Sequence, residues 1–356
     1  MGAWRVAAPA AALALALAAC GGDDQASSQE TMVMWRATTG TERNPSARYD
    51  IVAIDATTGQ RQVLTPHVGR QAQPLLFDRP TWSPDGRRIA FTVELDGDSA
   101  APYRTDVYVM DADGSRVRRL TRSERAGRPV WSPDGRTIAF AKRASSRTRS
   151  FRDLVSTTIW AIDTDGSDER QLVPSSGLTA DTPGAWSPNG ESLAFTRWRY
   201  DSERSFEASA AIYLVAADGS ALRKLIAQGS DPAWSPDGRL LAFVSDGDRN
   251  GELSYGDRTS VANELYVANA DGSHPKRLTR TRDSNERSPA WSPDGTRIAY
   301  TRGEQFRNAE ATSVLLVEAH GGCPTEIAAD DPAGAWYANA VWRPAEGRSR
   351  FTPSCS

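Results

Sequence analysis

Trp82-Ser-Pro-Asp-Gly86 opens a segment that this chain repeats. The same five residues recur from Trp131, Trp234 and Trp291, and from Trp186 with Asn189 in place of Asp. A worn copy, Trp342-Arg-Pro344, stands near the end. The spacings are 49, 55, 48, 57 and 51 residues, a period that marks a repeat architecture. Each copy reads as a tight turn. Pro fixes φ for the first corner, Asp accepts from nearby backbone N–H groups, and Gly takes the left-handed position from which a hairpin resumes.

What surrounds the turn is β throughout. After the Gly comes a short strand: Ile89-Ala-Phe91, Ile138-Ala-Phe140, Leu193-Ala-Phe195, Leu241-Ala-Phe243 and Ile298-Ala-Tyr300. A variable stretch leads to a second β-rich run, such as Val107-Tyr-Val109 or Ile212-Tyr-Leu-Val215. A turn such as Asp111-Ala-Asp-Gly-Ser115 follows, and a basic-apolar strand such as Arg119-Leu-Thr121 closes the unit. No segment shows a helical period. The Trp and Phe supply bulk between sheets, and the small Ala lets sheets approach closely. One such unit cannot bury both faces of its sheet, whereas a closed ring of units can.

These units resemble the WSPDG-type repeat of the TolB-like propellers, from residue 31 to about 344. The resemblance implies an all-β fold: a six-bladed β-propeller with four-stranded blades. It says less about activity, because that family includes accessory proteins, peptidase propeller domains and a few enzymes. The first unit lacks its innermost strand. Val33–Arg36, Asp50–Asp55 and Arg61–Thr65 read as second, third and fourth strands, and Ala340–Arg343 supplies the first from the far end. The N- and C-terminal segments therefore share the closing blade, which removes open sheet edges.

The first residues read differently. Arg5 precedes an apolar run, Val6–Ala19, too short for a membrane span and suited to a signal-peptide core. It ends in Leu17-Ala-Ala-Cys20-Gly21, which resembles the bacterial lipoprotein box with Cys20 as the acylated residue. The expected division is a signal peptide over 1–19, a flexible tether over 20–30 and one propeller domain over 31–356. That places the chain outside the cytoplasm, held to a membrane by a lipid anchor. The net charge of −3 gives no reason to expect nucleic acid, and a monomer is expected.

Strand order puts the short turns on one face of the ring and the long, dissimilar loops on the other. Variable loops on a rigid scaffold are where recognition normally sits. Arg143, Arg152, Trp198, Tyr200, Arg302, Trp336 and Tyr337 fall there. Arg with Trp and Tyr is the usual composition of interface hot spots, and the same residues also fit a solvated loop. The expected function is a non-enzymatic scaffold that binds a protein or cell-envelope partner. A small-ligand or saccharide site, or a hydrolase or lyase at the channel mouth, are the alternatives.

Enzyme signals are sparse. The sequence has no Gly-x-Ser-x-Gly elbow, and His67 falls on the face opposite His274 and His320. The pectic-oligomer lyases that the resemblance brings in use clustered His, which this spacing does not supply. No cofactor is expected, apart from one calcium candidate: Asp246, Asp248, Asn250 and Asp257 approximate a loop with alternate oxygen ligands. A polar hairpin loop explains the same residues. Cys323 and Cys355 remain once Cys20 is lipidated, and a disulfide between them would pin the C-terminal tail.

Overall fold

A computed structural model describes residues 31–38, 48–65, 76–96, 103–144, 156–201, 208–245, 263–281, 284–304, 312–328 and 335–345. They are β-strands and turns. In chain order the first strands are β1 (Thr31–Thr38), β2 (Arg48–Asp55) and β3 (Arg61–Val63). Then come β4 (Leu76–Trp82), β5 (Arg88–Asp96), β6 (Tyr103–Asp111) and β7 (Arg118–Arg119). The next quartet is β8 (Ala126–Trp131), β9 (Thr137–Arg143), β10 (Thr157–Asp163) and β11 (Arg170–Gln171). It is followed by β12 (Thr179–Trp186), β13 (Ser192–Tyr200), β14 (Ala208–Ala216) and β15 (Arg223–Ile226). The last are β16 (Ser230–Trp234), β17 (Leu240–Ser245), β18 (Glu264–Asn269) and β19 (Lys276–Arg277), then β20 (Ser284–Trp291), β21 (Arg297–Glu304), β22 (Thr312–Glu318), β23 (Thr325–Ala328) and β24 (Ala335–Trp342).

Three quartets, β4–β7, β16–β19 and β20–β23, are separate four-stranded antiparallel sheets. The quartets β8–β11 and β12–β15 merge into one eight-stranded sheet, but among the described residues the strand pairing that joins them is a single parallel residue pair, Thr157–Ala180. The remaining sheet has the order β24-β1-β2-β3, so the last strand pairs with the first. The expected sharing of one sheet by both terminal segments is observed. Six strands end at a repeat Trp, and they touch in a cycle: β4, β8, β12, β16, β20, β24 and back to β4. This is a β-propeller, with those strands lining its axis.

The repeated triplet explains how the sheets pack. Successive side chains of a strand point to opposite faces. Ile138 and Phe140 therefore face one neighbouring sheet while Ala139 faces the other. Phe140 shares a buried cluster with Ala90 of the preceding sheet, and Ala139 shares one with Phe195 of the next. The pattern continues with Ala194 beside Phe243 and Ala242 beside Tyr300. In the closing sheet Met34 takes the Phe position against Ala299, and Val33 takes the Ala position against Phe91. Every apolar cluster straddles two quartets of strands, so no quartet has a core of its own.

The turns hold as their composition requires. The Ser83 hydroxyl donates to Asp85 Oδ1 at 2.6 Å and accepts from the Arg88 N–H at 2.9 Å. The other copies repeat this, Asn189 included, whose Oδ1 accepts from Ser187 at 2.7 Å. Gly114, at φ +84°, shows why one turn needs Gly: a Cβ there would lie 2.0 Å from the Leu64 carbonyl oxygen of the neighbouring sheet.

Candidate functional site

The axial strands enclose a cavity of about 350 Å³. Its wall is mostly Pro, Ala and the repeat Trp residues, including Pro84 and Pro236 from two of the Trp-Ser-Pro-Asp-Gly turns. The cavity therefore runs from mid-strand toward the short-turn end of the ring. Polar groups enter it at one level. Arg79, Arg128, Asp231, Ser288 and Asn339 each stand three residues before a repeat Trp. All are in the left-handed region, with φ of 48°, 57°, 50°, 53° and 55°. The strand register slips at each of these positions, so each is a β-bulge that turns one side chain toward the axis. Such backbone costs about 1–3 kcal/mol per residue unless its surroundings hold it.

The neighbouring sheet supplies the hold. Thr92 Oγ1 accepts from the Arg128 N–H at 2.9 Å, Thr196 Oγ1 from the Asp231 N–H at 2.9 Å, and Thr301 Oγ1 from the Asn339 N–H at 3.0 Å. Each Thr directly follows the buried aromatic of the repeat triplet. The residue that packs the sheets and the residue that fixes the axial bulge are thus adjacent in sequence.

The polar residues also meet one another. Arg79 Nη1 lies 3.7 Å from Asp231 Oδ1. Asp231 Oδ2 accepts from the Ser288 N–H at 3.1 Å, and Ser288 Oγ donates to Asn339 Oδ1 at 2.7 Å. Burial pushes the Asp231 carboxyl up, but Arg79, Arg128, the Ser288 N–H and Arg287 outweigh it, and the net direction is down.

Farther along the same strands lie acid–Arg pairs. In register across β12 and β13, Arg197 donates two bonds of 2.7 Å to the carboxylate of the fully buried Asp181. In register across β20 and β21, Arg302 Nη2 donates to Glu286 Oε1 at 3.2 Å. Glu286 Oε2 and Glu264 Oε2 both lie within hydrogen-bond reach of Thr279 Oγ1, which also accepts from the Leu265 N–H. A hydroxyl has one hydrogen to donate, so it satisfies one carboxylate at a time. Burial raises both Glu264 and Glu286, and Glu264 raises Glu286 further, although Arg277 and Arg302 face the group.

A carboxyl whose pKa is higher in the folded chain binds more protons there, so stability falls as pH rises through the interval between the unfolded and folded values. Urea midpoints are expected to fall from the ordinary Glu range upward in pH. Glu286→Gln should flatten that slope, and an unchanged slope in the variant would refute the assignment of the raised carboxyl to Glu286.

Arg143 ends β9, Trp198 and Tyr200 lie in β13, Arg302 lies in β21, and Trp336 and Tyr337 lie in β24. The expectation that these are loop residues is corrected, because strand pairing extends as far as them. Tyr200 pairs with Ala208, Arg302 with Ser313, and Tyr337 with Arg36. Arg143 is half-buried, with Nη2 3.5 Å from Thr105 Oγ1, and Arg302 also donates to the Tyr300 hydroxyl at 2.9 Å. Alternation puts Trp198 and Tyr200, both half-buried, on the Ala194 face of β13. Arg152, Cys20, Cys355 and the calcium candidates Asp246, Asp248, Asn250 and Asp257 lie outside the described residues. Cys323 is exposed. Among the described residues no group of three His, Cys, Asp or Glu is placed to hold a metal.

The axial bulge position was missed by reading the repeat forward from its Trp. Three residues before the Trp the signal is plain: Arg79-Pro-Thr-Trp82, Arg128-Pro-Val-Trp131, Asp231-Pro-Ala-Trp234 and Ser288-Pro-Ala-Trp291 share a frame in which Pro and Trp are constant and the first residue changes charge.

Residues 40–205 match the TolB beta propeller domain model. The fold is a TolB-like β-propeller. A solved structure assigned as TolB from Agrobacterium tumefaciens superposes with a TM-score of 0.57 at 17% identity, covering 88% of this chain and 99% of that one. At that identity the likeness speaks to the fold. An uncharacterized peptidase of Bacillus subtilis (strain 168), YuxL, is 30% identical over 152 residues, 40% of this propeller chain. Dipeptidyl-peptidase 5 of Porphyromonas gingivalis is 40% identical over 77 residues, 21% of the chain. The matches span 21% and 10% of those relatives' own lengths.

Proposed function

We propose that this chain is a non-enzymatic binding protein: a six-bladed TolB-like propeller, one domain over 31–356, held outside the cytoplasm by acylation of Cys20. It engages a protein or cell-envelope partner at its axial channel. One observation carries this reading. The repeat is nearly uniform, yet the residues turned into the channel are Arg79, Arg128, Asp231, Ser288 and Asn339, different in nearly every unit. A uniform scaffold with one varied, converging position is how a binding site is grafted onto a repeat. Support for six blades comes from the quartets of strands and from the single residue pair that links the two merged ones.

The channel groups favour binding over catalysis. Ser288 Oγ donates to an amide oxygen, Asn339 Oδ1, which is no base, and Asp231 is engaged by Arg79 and a backbone N–H. A peptidase reading rests on the names of the two curated relatives, of which the chain spans a small part.

Two measurements test the proposal. Metabolic labelling with a fatty acid should mark the wild type and not Cys20→Ala. The purified chain should turn over no member of a fluorogenic dipeptide and oligopeptide panel. Turnover that survives purification and is lost in Ser288→Ala would replace this reading with the peptidase one. Equal labelling of Cys20→Ala would remove the anchor.

A further inference from the structure

We propose that Glu264 and Glu286 hold one proton between them across the interface of the quartets β16–β19 and β20–β23, and that this proton is a latch whose release at rising pH loosens that interface of the ring ahead of the others.

The contacts at Thr279 call for the proton. Its Oγ1 accepts from the Leu265 N–H at 2.9 Å and meets Oε2 of both glutamates. A hydroxyl gives one hydrogen and offers two lone pairs. With both acids ionised, two buried carboxylate oxygens compete for one hydrogen. With one acid protonated, every contact is filled: the Leu265 N–H and the acid O–H donate to Oγ1, and Oγ1 donates to the other carboxylate. Release gives the proton to solvent and leaves two carboxylates at Thr279.

The charged neighbours address the outer oxygens. Arg277 Nη2 of β19 donates to Glu264 Oε1 at 2.7 Å, and Arg302 Nη2 of β21 donates to Glu286 Oε1 at 3.2 Å. Burial, and then the charge of Arg280 just past β19, press on the Arg277 cation. Tyr300 of β21 also faces the pair; burial pushes its hydroxyl up, and it accepts from Arg302 at 2.9 Å.

The repeat supplies the comparison. Asp106 stands where Glu264 does, and Thr121 Oγ1 donates to it at 2.6 Å while accepting from the Val107 N–H at 3.0 Å. The place of Glu286, five residues before the repeat Trp, is held there by buried Ala126. One acid then meets one hydroxyl hydrogen, and the contact is complete without a further proton. Asp181 takes that place in the next unit, but Thr158 stands where Glu264 would, and Arg197 forks both Asp181 oxygens. Phe77, Gly229 and Tyr337 hold the place in the other units, so the two acids coincide at a single interface.

That interface borders the channel. The Leu265 N–H also donates to Glu286 Oε2 at 3.1 Å, and the Glu286 N–H donates to the Asn263 carbonyl at 3.1 Å. Two residues on along β20 is Ser288, whose N–H donates to Asp231 of β16. Burial raises both acids, so the latch is closed below the ordinary Glu range and opens as pH rises from there toward the raised value.

The test is native-state amide exchange of the full mature chain at about pH 5 and about pH 8, read as protection factors, which remove the intrinsic rise of exchange with pH. Protection at Leu265 and Ser288 is expected to fall at least about ten-fold between them, the equivalent of one pKa unit of differential proton binding. Val107 and Arg128, the matching amides at the Asp106 unit, should keep theirs. Glu286→Gln puts an amide N–H in the proton's place and should hold at the higher pH the protection that the wild type has at the lower. Glu264→Gln should do the same from the other side of the interface. The infrared difference between wild type and either variant at about pH 5 should show one buried protonated carboxyl. Unchanged protection at Leu265 and Ser288, or an equal fall at Val107 and Arg128, would overturn the latch. A difference spectrum without that carboxyl would overturn the shared proton. If Glu286→Gln folds poorly, the wild-type comparison and Glu264→Gln still decide.

Discussion

Arg197→Met is expected to lower the unfolding free energy by about 3–5 kcal/mol, the cost of leaving a buried carboxylate without its partner. Asp181 is 0% exposed and Arg197 7%, and two bonds of 2.7 Å join them across β12 and β13. The guanidinium also lies over the Tyr213 ring at 5.0 Å. Met fills much of the same volume, so most of the loss is electrostatic. Water cannot reach Asp181 to replace the lost donors without opening the sheet. The double variant Asp181→Leu with Arg197→Met should recover most of the loss, because an apolar pair of similar size removes the desolvation cost as well as the attraction. Urea unfolding at constant m reads both values. A single-variant loss under about 1 kcal/mol would mean that the pair is solvated in solution.

Phe140→Ala is expected to cost about 3–5 kcal/mol by emptying a site between two sheets. Phe140 is fully buried and meets Ala90, Val107 and Trp131. Because each sheet's only core is shared with its neighbour, the space cannot close without moving a whole sheet. The reciprocal change, Ala90→Leu, should destabilise by about 1–3 kcal/mol through overpacking of the same interface. Denaturant midpoints again give the comparison. If Phe140→Ala cost no more than an exposed substitution such as Val63→Ala, the assignment of the triplet's aromatic to the inter-sheet core would be wrong.

The sequence makes the ring readable for a physical reason. A turn of Ser-Pro-Asp-Gly type has few other uses, and Ile-Ala-Phe encodes both faces of a strand in three letters. Even the closure is visible, since Val33 and Met34 follow the same alternation and only an inner strand is missing from that unit. The site is less readable because its key feature is a backbone conformation. Nothing in Arg128 or Asp231 alone announces a left-handed bulge; Thr92 and Thr196, each on a neighbouring sheet, hold these two bulges in place. Arg143, Trp198, Tyr200 and Arg302 read as loop residues because they follow the recognisable part of each strand. Pairing with the next strand, which sequence pattern does not show, extends the sheet as far as them. Arg302 in particular answers Glu286, an acid sixteen residues earlier, through cross-strand register.

The central claim is that recognition occurs in the channel. Site-specific photocrosslinking in native membranes tests it most directly. A benzoylphenylalanine side chain is placed at Asn339, inside the channel, and in a separate protein at Leu222, which is exposed. After irradiation, the Asn339 position should give a discrete higher-mass adduct that the Leu222 position does not give, and excess unlabelled wild-type protein should compete it away. An adduct from Leu222 with none from Asn339 would contradict the account and place recognition on the outside of the ring.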